Sequence, residues 1–202
     1  KARQELGLTE SKIILSVGRV EPLKGGDILI SAVSKLDDIS DTRLLIVGGD
    51  PGSDPELQKL MELAATLGVA DSVTFTGAVE QTELPKYYSA ADVFVMPSYY
   101  ESFGLAALEA MACGTPIVAS SAAGGPKSFV DEDETGYLIP WPFPDSYAER
   151  LDQILGDTVT RQRVGRAARA KALTMGWDTV ASGLLRHYDN ATSNAWLNVA
   201  GG

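Results

Sequence analysis

The sequence has only one cysteine and one histidine among its 202 residues. The single cysteine, Cys113, excludes an internal disulfide, so nothing in the sequence indicates an oxidising compartment. The lone histidine, His187, leaves no His/Cys/Asp cluster with metal-ligand spacing, and we predict no metal site. No apolar run approaches the roughly 18 residues of a membrane span. We therefore expect a cytoplasmic protein without a transmembrane segment.

Positive charge is also scarce, with 17 Lys and Arg residues against 27 Asp and Glu residues and a formal net charge of -10. Affinity for nucleic acid comes mainly from clustered Lys and Arg that release counterions, so we expect no nucleic-acid partner. Two phosphate-binding motifs are missing as well, because no GxxxxGK[ST] occurs and no GxGxxG follows a strand. Their absence argues against NTPases and dehydrogenases.

Short apolar runs alternate with helical patterns along most of the chain. Strands are predicted at residues 13–17, 44–47, 73–76, 93–96, 117–119 and 137–139, and helices at 27–36, 55–67, 83–91, 105–112 and 146–155. Strands that are apolar throughout and alternate with helices are typical of a parallel sheet covered on both faces. The predicted fold class is therefore α/β, a Rossmann-like parallel sheet with helices on both faces.

The chain divides into three predicted segments. Residues 1–157 form the α/β domain, residues 158–189 form helices that pack on it, and residues 190–202 form a tail that frays. In the second segment, the Arg-rich run 161–171 predicts a solvated helix face. Asp178 predicts a helix N-cap, and Trp177 is interpreted as a packing residue.

Two carboxylates stand out after the fourth predicted strand. Glu101 lies in a strand-to-helix turn, before the Phe103-Gly104 break, and Glu109 is embedded in the apolar stretch 105–112. Ligands of parallel α/β sheets bind where the carboxyl ends of the strands meet their loops. Few structural needs explain two acids in these positions, so the pattern indicates a ligand with hydroxyl groups.

A second candidate site is the loop after the first predicted strand, Gly18-Arg19-Val20-Glu21-Pro22-Leu23-Lys24-Gly25-Gly26. Glycines let backbone approach a ligand, an Arg can donate to two oxygens, and a Lys adds a point charge, so the loop suits a diphosphate. The alternative is a surface ion pair, either Arg19 with Glu21 or Lys24 with Asp27.

Together these segments resemble the carboxyl-terminal half of a retaining glycosyltransferase of family four, whose GT-B architecture has two facing Rossmann-like domains. The resemblance is carried by VGRVEPLKGGDILI, LLIVGGD, VTFTGAVEQTELPKYYSAADVFVMPSYYESFGLAALEAMACGTPIVAS and TGYLIP. Within the family, these motifs are similar both to bacterial sucrose-phosphate synthases and to enzymes that transfer N-acetylglucosamine to inositol phosphate. The segment Gly124-Gly125-Pro126-Lys127 departs from the family's Gly-Gly-x-Pro-Glu in length and in its lysine.

The resemblance implies a role for each candidate residue. Arg19 and Lys24 would hold the diphosphate of a nucleotide sugar and stabilise the leaving nucleoside diphosphate, and Glu101 would accept hydrogen bonds from the sugar. These three are the predicted catalytic residues. The predicted nucleotide-sugar-binding residues are Glu109 for the ribose, Val79 in the loop against the base, and the backbone of Gly18, Phe103, Gly104 and Leu105.

The resemblance also implies that residues 1–157 are the nucleotide-sugar-binding domain and that an amino-terminal acceptor domain of the same protein is missing. The expected donor is a UDP-sugar, with no cofactor, and the expected reaction moves a hexose to an acceptor hydroxyl. We expect this half to be inactive alone, because it does not position an acceptor. Two alternatives are a non-catalytic module that binds a nucleotide or sugar phosphate, and a fragment of a GT-B phosphorylase.

Overall fold

The structure is a computed structural model that describes residues 1–10 and 12–199, with residues 193–199 as backbone only. The strands are β1 (Lys12–Val17), β2 (Thr42–Val47), β3 (Val73–Gly77), β4 (Val93–Met96), β5 (Ile117–Ser120) and β6 (Gly136–Ile139). The helices are α1 (Ala2–Glu5), α2 (Gly26–Val33), α3 (Pro55–Thr66), α4 (Leu84–Ala90), α5 (Leu105–Ala112), α6 (Gly124–Lys127), α7 (Pro144–Gly156), α8 (Thr158–Leu173) and α9 (Trp177–Val199).

The six strands form one sheet in the order β3-β2-β1-β4-β5-β6. Every pair of neighbouring strands is parallel. All six predicted strands are present, and the α/β Rossmann-like fold class is confirmed. The order reverses between β1 and β4, which are neighbours in the sheet although two strands separate them in the chain.

The strands are buried because successive side chains point to opposite faces and both faces are covered. In β1, Ile14 packs on the face covered by α2, α3 and α7, whereas Ile13 and Leu15 pack on the face covered by α4, α5 and α8. The same alternation holds in β4, where Val93 and Val95 point one way and Phe94 the other. A strand buried on both sides has no polar face, which is why its sequence reads as a continuous apolar run.

The two carboxyl-terminal helices differ in their contacts. Helix α8 packs against α5 and the sheet through Val164, Ala168 and Ala172. Helix α9 leaves Trp177 with 85% of its surface exposed, so the interpretation of Trp177 as a packing residue is wrong. Because α9 begins at Trp177, Asp178 lies in the first turn rather than at the N-cap.

Helix α9 runs to Val199, and the predicted fraying of residues 190–202 stays a prediction, with residues 200–202 outside the described part. Among residues 1–10 and 12–199, no helix is both long and apolar enough to cross a lipid bilayer.

Candidate functional site

A crevice opens at the carboxyl ends of β1 and β4, where the strand order reverses. Helix α2, which follows β1, packs on one face of the sheet, and α5, which follows β4, packs on the other. The two chain segments therefore diverge as they leave neighbouring strands. In open α/β sheets this is the position where ligands bind.

The crevice contains a cavity of about 210 Å³. The cavity is lined by residues of both loops and includes six of the predicted site residues, namely Gly18, Arg19, Lys24, Glu101, Gly104 and Leu105. Phe103, Glu109 and Val79 lie outside its lining. The structure thus brings the predicted diphosphate loop and the first glutamate together, and places the second glutamate and Val79 beyond them.

Lys24 and Glu101 form an ion pair at the cavity wall. Nζ of Lys24 lies 2.6 Å from Oε2 of Glu101, and the two side chains are 27% and 17% exposed. The sequence predicts separate ligand contacts for these residues and does not predict their contact with each other. Lys24 does not use the predicted surface partner Asp27, so the surface-pair interpretation is wrong for this lysine.

The backbone holds the two loops close enough for this ion pair. Gly25 has a φ of 68°, in the left-handed region, and a Cβ atom there would lie 2.3 Å from the carbonyl oxygen of Pro97. The N–H of Tyr99 also donates to the carbonyl oxygen of Leu23 at 2.9 Å. Gly25 is therefore required both for the turn and for the contact between the loops.

Arg19 is placed differently from Lys24. Its side chain is 80% exposed, and Nη1 lies 2.7 Å from Oε1 of Glu21. This is the surface pair that the sequence left open as the alternative for Arg19. Arg19 also lines the cavity, so its guanidinium lies at the rim of the crevice, where ion pairs with water access hold their partners weakly.

Helix α5 points its amino terminus at the cavity. Gly104, with a φ of 87°, occupies the N-cap position, and the first turn begins at Leu105. The amide of Ala107 is bonded to the carbonyl oxygen of Gly104, so the amides before it lie ahead of the helical hydrogen-bond ladder. Such free N–H groups and the helix dipole favour an anionic ligand group.

Gly125 supports the turn beside the cavity, a role that the sequence did not predict. Its N–H donates to the carbonyl oxygen of Glu101 at 3.1 Å, and a Cβ atom would lie 2.1 Å from the carbonyl oxygen of Phe103. Helix α6 therefore supports the turn that carries Glu101 and Gly104. The Gly124-Gly125 pair is the signal for this contact, and it is present despite the changed length and the lysine at 127.

Glu109 lies one helical turn beyond the cavity wall. Its Oε2 accepts a hydrogen bond of 2.8 Å from the hydroxyl of Tyr88, a buried residue of α4. Burial, and then the Glu109 hydrogen bond, raise the pKa of Tyr88 above its ordinary value of 10.0, so its hydroxyl remains a donor even in alkaline solution. Val79 follows β3, is half-buried, and packs against the apolar cluster that contains Tyr88.

Comparisons with known proteins agree on one family for this chain. The family of glycosyl transferases group 1 matches residues 1–171. The D-inositol 3-phosphate glycosyltransferase of Frankia alni is 41% identical over 206 residues, covering 98% of this chain and 50% of that protein. The chain therefore spans about half the length of this relative.

Two solved structures are similar in fold. The sucrose-phosphate synthase from Thermosynechococcus elongatus aligns with a TM-score of 0.85 and 36% identity, covering 96% of this chain and 49% of that one. Anabaena Alr3699/HepE, solved in complex with UDP and glucose, aligns with a TM-score of 0.81 and 26% identity, covering 94% of this chain and 51% of that one.

These matches agree with the resemblance that the motifs carry. The six-stranded parallel sheet corresponds to one half of a GT-B glycosyltransferase, and the half-length coverage fits a carboxyl-terminal domain. On the fold, the family match and the curated relatives together, the chain belongs to the group 1 glycosyltransferases.

Proposed function

We propose that this chain is the donor-binding half of a retaining hexosyltransferase that uses a nucleotide sugar, with UDP as the nucleotide. The observation that carries the proposal is the cavity between β1 and β4, where a cation, a carboxylate and a helix amino terminus converge. These are the groups that a sugar diphosphate requires, since it presents anionic oxygens and hydroxyl donors side by side. The relative solved with UDP and glucose supports the choice of nucleotide and sugar.

In this proposal the side chains and amides of the cavity either stabilise charge on the diphosphate or orient the sugar. The bond between the sugar and the diphosphate breaks, and its electron pair stays on the diphosphate. Lys24, Arg19 and the first amides of α5 stabilise that negative charge, and preorganised groups of this kind act without further rearrangement. Glu101 accepts hydrogen bonds from the sugar hydroxyls and orients the sugar. The acceptor hydroxyl forms the new bond to the sugar on the face that the diphosphate leaves, which retains the configuration, and its proton passes to an oxygen of the departing diphosphate.

The proposal includes a partner domain that holds the acceptor. The relatives are about twice as long as this chain. Helix α9 also exposes large apolar side chains along its length, and a second domain would cover such a surface. The exposed side chains are Trp177, Val180, Leu184, Leu185 and Tyr188. Without that domain the acceptor is not positioned, so we expect the chain alone to bind the donor without transferring the sugar.

Calorimetry of this chain tests the proposal. We expect UDP to bind in buffer containing EDTA, since the groups proposed to hold the diphosphate are cations and amides. We expect UDP-glucose to bind more tightly than UDP, because the sugar adds contacts to Glu101. Binding of inorganic phosphate in preference to UDP would favour a phosphorylase, and loss of UDP binding in EDTA would contradict the metal-free site.

A further inference from the structure

Tyr88 is a buried polar residue that the proposed reaction does not use. Its ring packs edge-to-face against Phe94 at 5.9 Å, and its hydroxyl donates to Oε2 of Glu109 at 2.8 Å. Its carbonyl oxygen accepts a hydrogen bond from the hydroxyl of Thr115 at 2.6 Å. The backbone, the ring and the hydroxyl of Tyr88 are thus all held, so the phenol is a fixed donor.

Glu109 has only one of its carboxylate oxygens in this bond. It lies four residues after Leu105 and three after Ala106, which both line the cavity, so the three residues share one face of α5. A glutamate side chain has several rotatable bonds, and fixing it in one orientation costs conformational entropy. A bond from a rigid, buried phenol removes that freedom before any ligand binds.

We propose that Tyr88 is a positioning residue for ribose recognition: it holds one oxygen of Glu109 and thereby presents the other to the ribose hydroxyls. This inference rests on the proposed function and on the role that the family resemblance implies for Glu109, the binding of the donor's ribose. It adds a residue of α4 to a site otherwise built from the loops after β1 and β4 and from α5. Its consequence is that discrimination between ribose and deoxyribose depends on a hydroxyl that never contacts the ligand.

The test compares binding of UDP and 2′-deoxy-UDP to this chain by calorimetry. We expect the wild-type chain to prefer UDP by about tenfold, the size of one well-made hydrogen bond to a charged group. In Tyr88→Phe the preference should fall about threefold or more, because UDP loses contacts of both ribose hydroxyls whereas 2′-deoxy-UDP loses only that of the 3′-hydroxyl. Tyr87→Phe is the matched control, because it removes one hydroxyl from the neighbouring residue of α4, and it should keep the wild-type preference.

A double-variant comparison separates positioning from a merely structural role. Glu109→Gln should abolish most of the preference, and adding Tyr88→Phe to it should change nothing further, because Tyr88 acts through Glu109. Retention of the full preference in Tyr88→Phe would overturn the inference, as would tighter UDP binding, which would mean that Tyr88 competes with the ribose. A Tyr88→Phe chain that does not fold would also overturn it, by assigning the bond to the fold. Failure of the wild-type chain to bind UDP would instead count against the proposed function.

Discussion

The Lys24–Glu101 ion pair connects two residues that are 77 positions apart in the chain. The local sequence marks each residue as a candidate ligand contact, but the pair exists because β1 lies next to β4 and Gly25 lets the two loops touch. A cation and a carboxylate that are both largely buried and directly paired constrain each other strongly. Substitutions at either position are therefore expected to act on the ligand through the partner as well.

We expect Lys24→Ala to weaken UDP binding by about 1–3 kcal/mol, the contribution of a charge-assisted hydrogen bond. Thermal stability should change little, because Glu101 keeps some access to water when its partner is lost. Calorimetry with UDP and a thermal melt of the same samples measure both quantities. Lys171→Ala is the control. It removes a lysine of α8 that pairs with Asp131 at 2.8 Å, away from the cavity. A lower melting temperature with unchanged UDP affinity would assign Lys24 to the fold.

Helix boundaries show which local signals the sequence carries. The predicted bounds of α5 agree with the structure at both ends, because Gly104 and Gly114 adopt left-handed conformations that end regular structure. Helix α2 ends at Val33, three residues before the predicted end, and its last turn closes on Ser34 without any glycine. Apolar periodicity alone does not mark such an end.

The predicted solvated face of α8 is exposed at Arg163, Arg166 and Arg169, but one arginine of the run departs from it. Arg161 belongs to the run predicted to be solvated, yet its side chain is only 18% exposed and its Nε lies 3.2 Å from Oδ1 of Asp92. It also donates to the carbonyl oxygens of Ile154 and Leu155 at the end of α7. A periodic pattern shows that an arginine can face water, but the chain segment that packs beside it decides whether it does.

The amino terminus of α3 offers a test of one helix. The carboxylate of Asp54 accepts hydrogen bonds from the N–H groups of Glu56 and Leu57, which would otherwise lack partners. We expect Asp54→Ala to lower the free energy of unfolding by about 1 kcal/mol, measured by urea denaturation. Asp54→Asn should stay close to wild type, because asparagine is an equally good N-cap. Equal losses in both variants would contradict the capping role.

Charged residues at the two ends of the strands have different roles. The carboxyl-terminal edge holds the candidate site, whereas the amino-terminal edge holds ion pairs that join elements of the fold. Asp92, just before β4, pairs with Arg3 before β1 and with Arg161 of α8, and it accepts the N–H of Ile13. Glu10, also before β1, pairs with Arg43 of β2.

The Glu10–Arg43 pair predicts a dependence of stability on pH. Hydrogen bonding from Arg43 lowers the pKa of Glu10 below its ordinary value of 4.5. A carboxyl whose folded pKa is lowered stabilises the fold above the unfolded pKa and loses that effect as the pH falls through the folded value. The destabilisation caused by Glu10→Gln should therefore be full at pH 7 and should shrink below about pH 4.5. Urea denaturation across this range measures it.

Glu62→Gln is the matched control for that series, because Glu62 is an exposed residue of α3. It should change the free energy of unfolding little at any pH in the range. A destabilisation by Glu10→Gln that stays constant from pH 7 to pH 3 would show that the charge of Glu10 does not contribute.

The sequence allows the fold class, the six strands and six residues of the cavity lining to be predicted, because each depends on a run of neighbouring residues. The sequence did not predict the order of the strands. It also did not predict three contacts, Lys24–Glu101, Tyr88–Glu109 and Gly125–Phe103. Each of these contacts joins residues from separate segments, and their meeting depends on how the whole sheet is assembled. The residue types therefore indicated which positions belong to the candidate site, but not which residues contact one another there.

The ion pair at the cavity wall has a consequence for selectivity. Lys24 and Glu101 already neutralise each other. A ligand therefore has to replace the contact that each residue makes with the other, rather than bind to an unpaired charge. A lone phosphate that draws Lys24 away supplies no hydrogen-bond donor to replace the lysine at Glu101. A molecule that carries an anion and hydroxyl donors at neighbouring positions compensates both residues at once. Under the proposed function, the ion pair therefore favours a sugar diphosphate over inorganic phosphate.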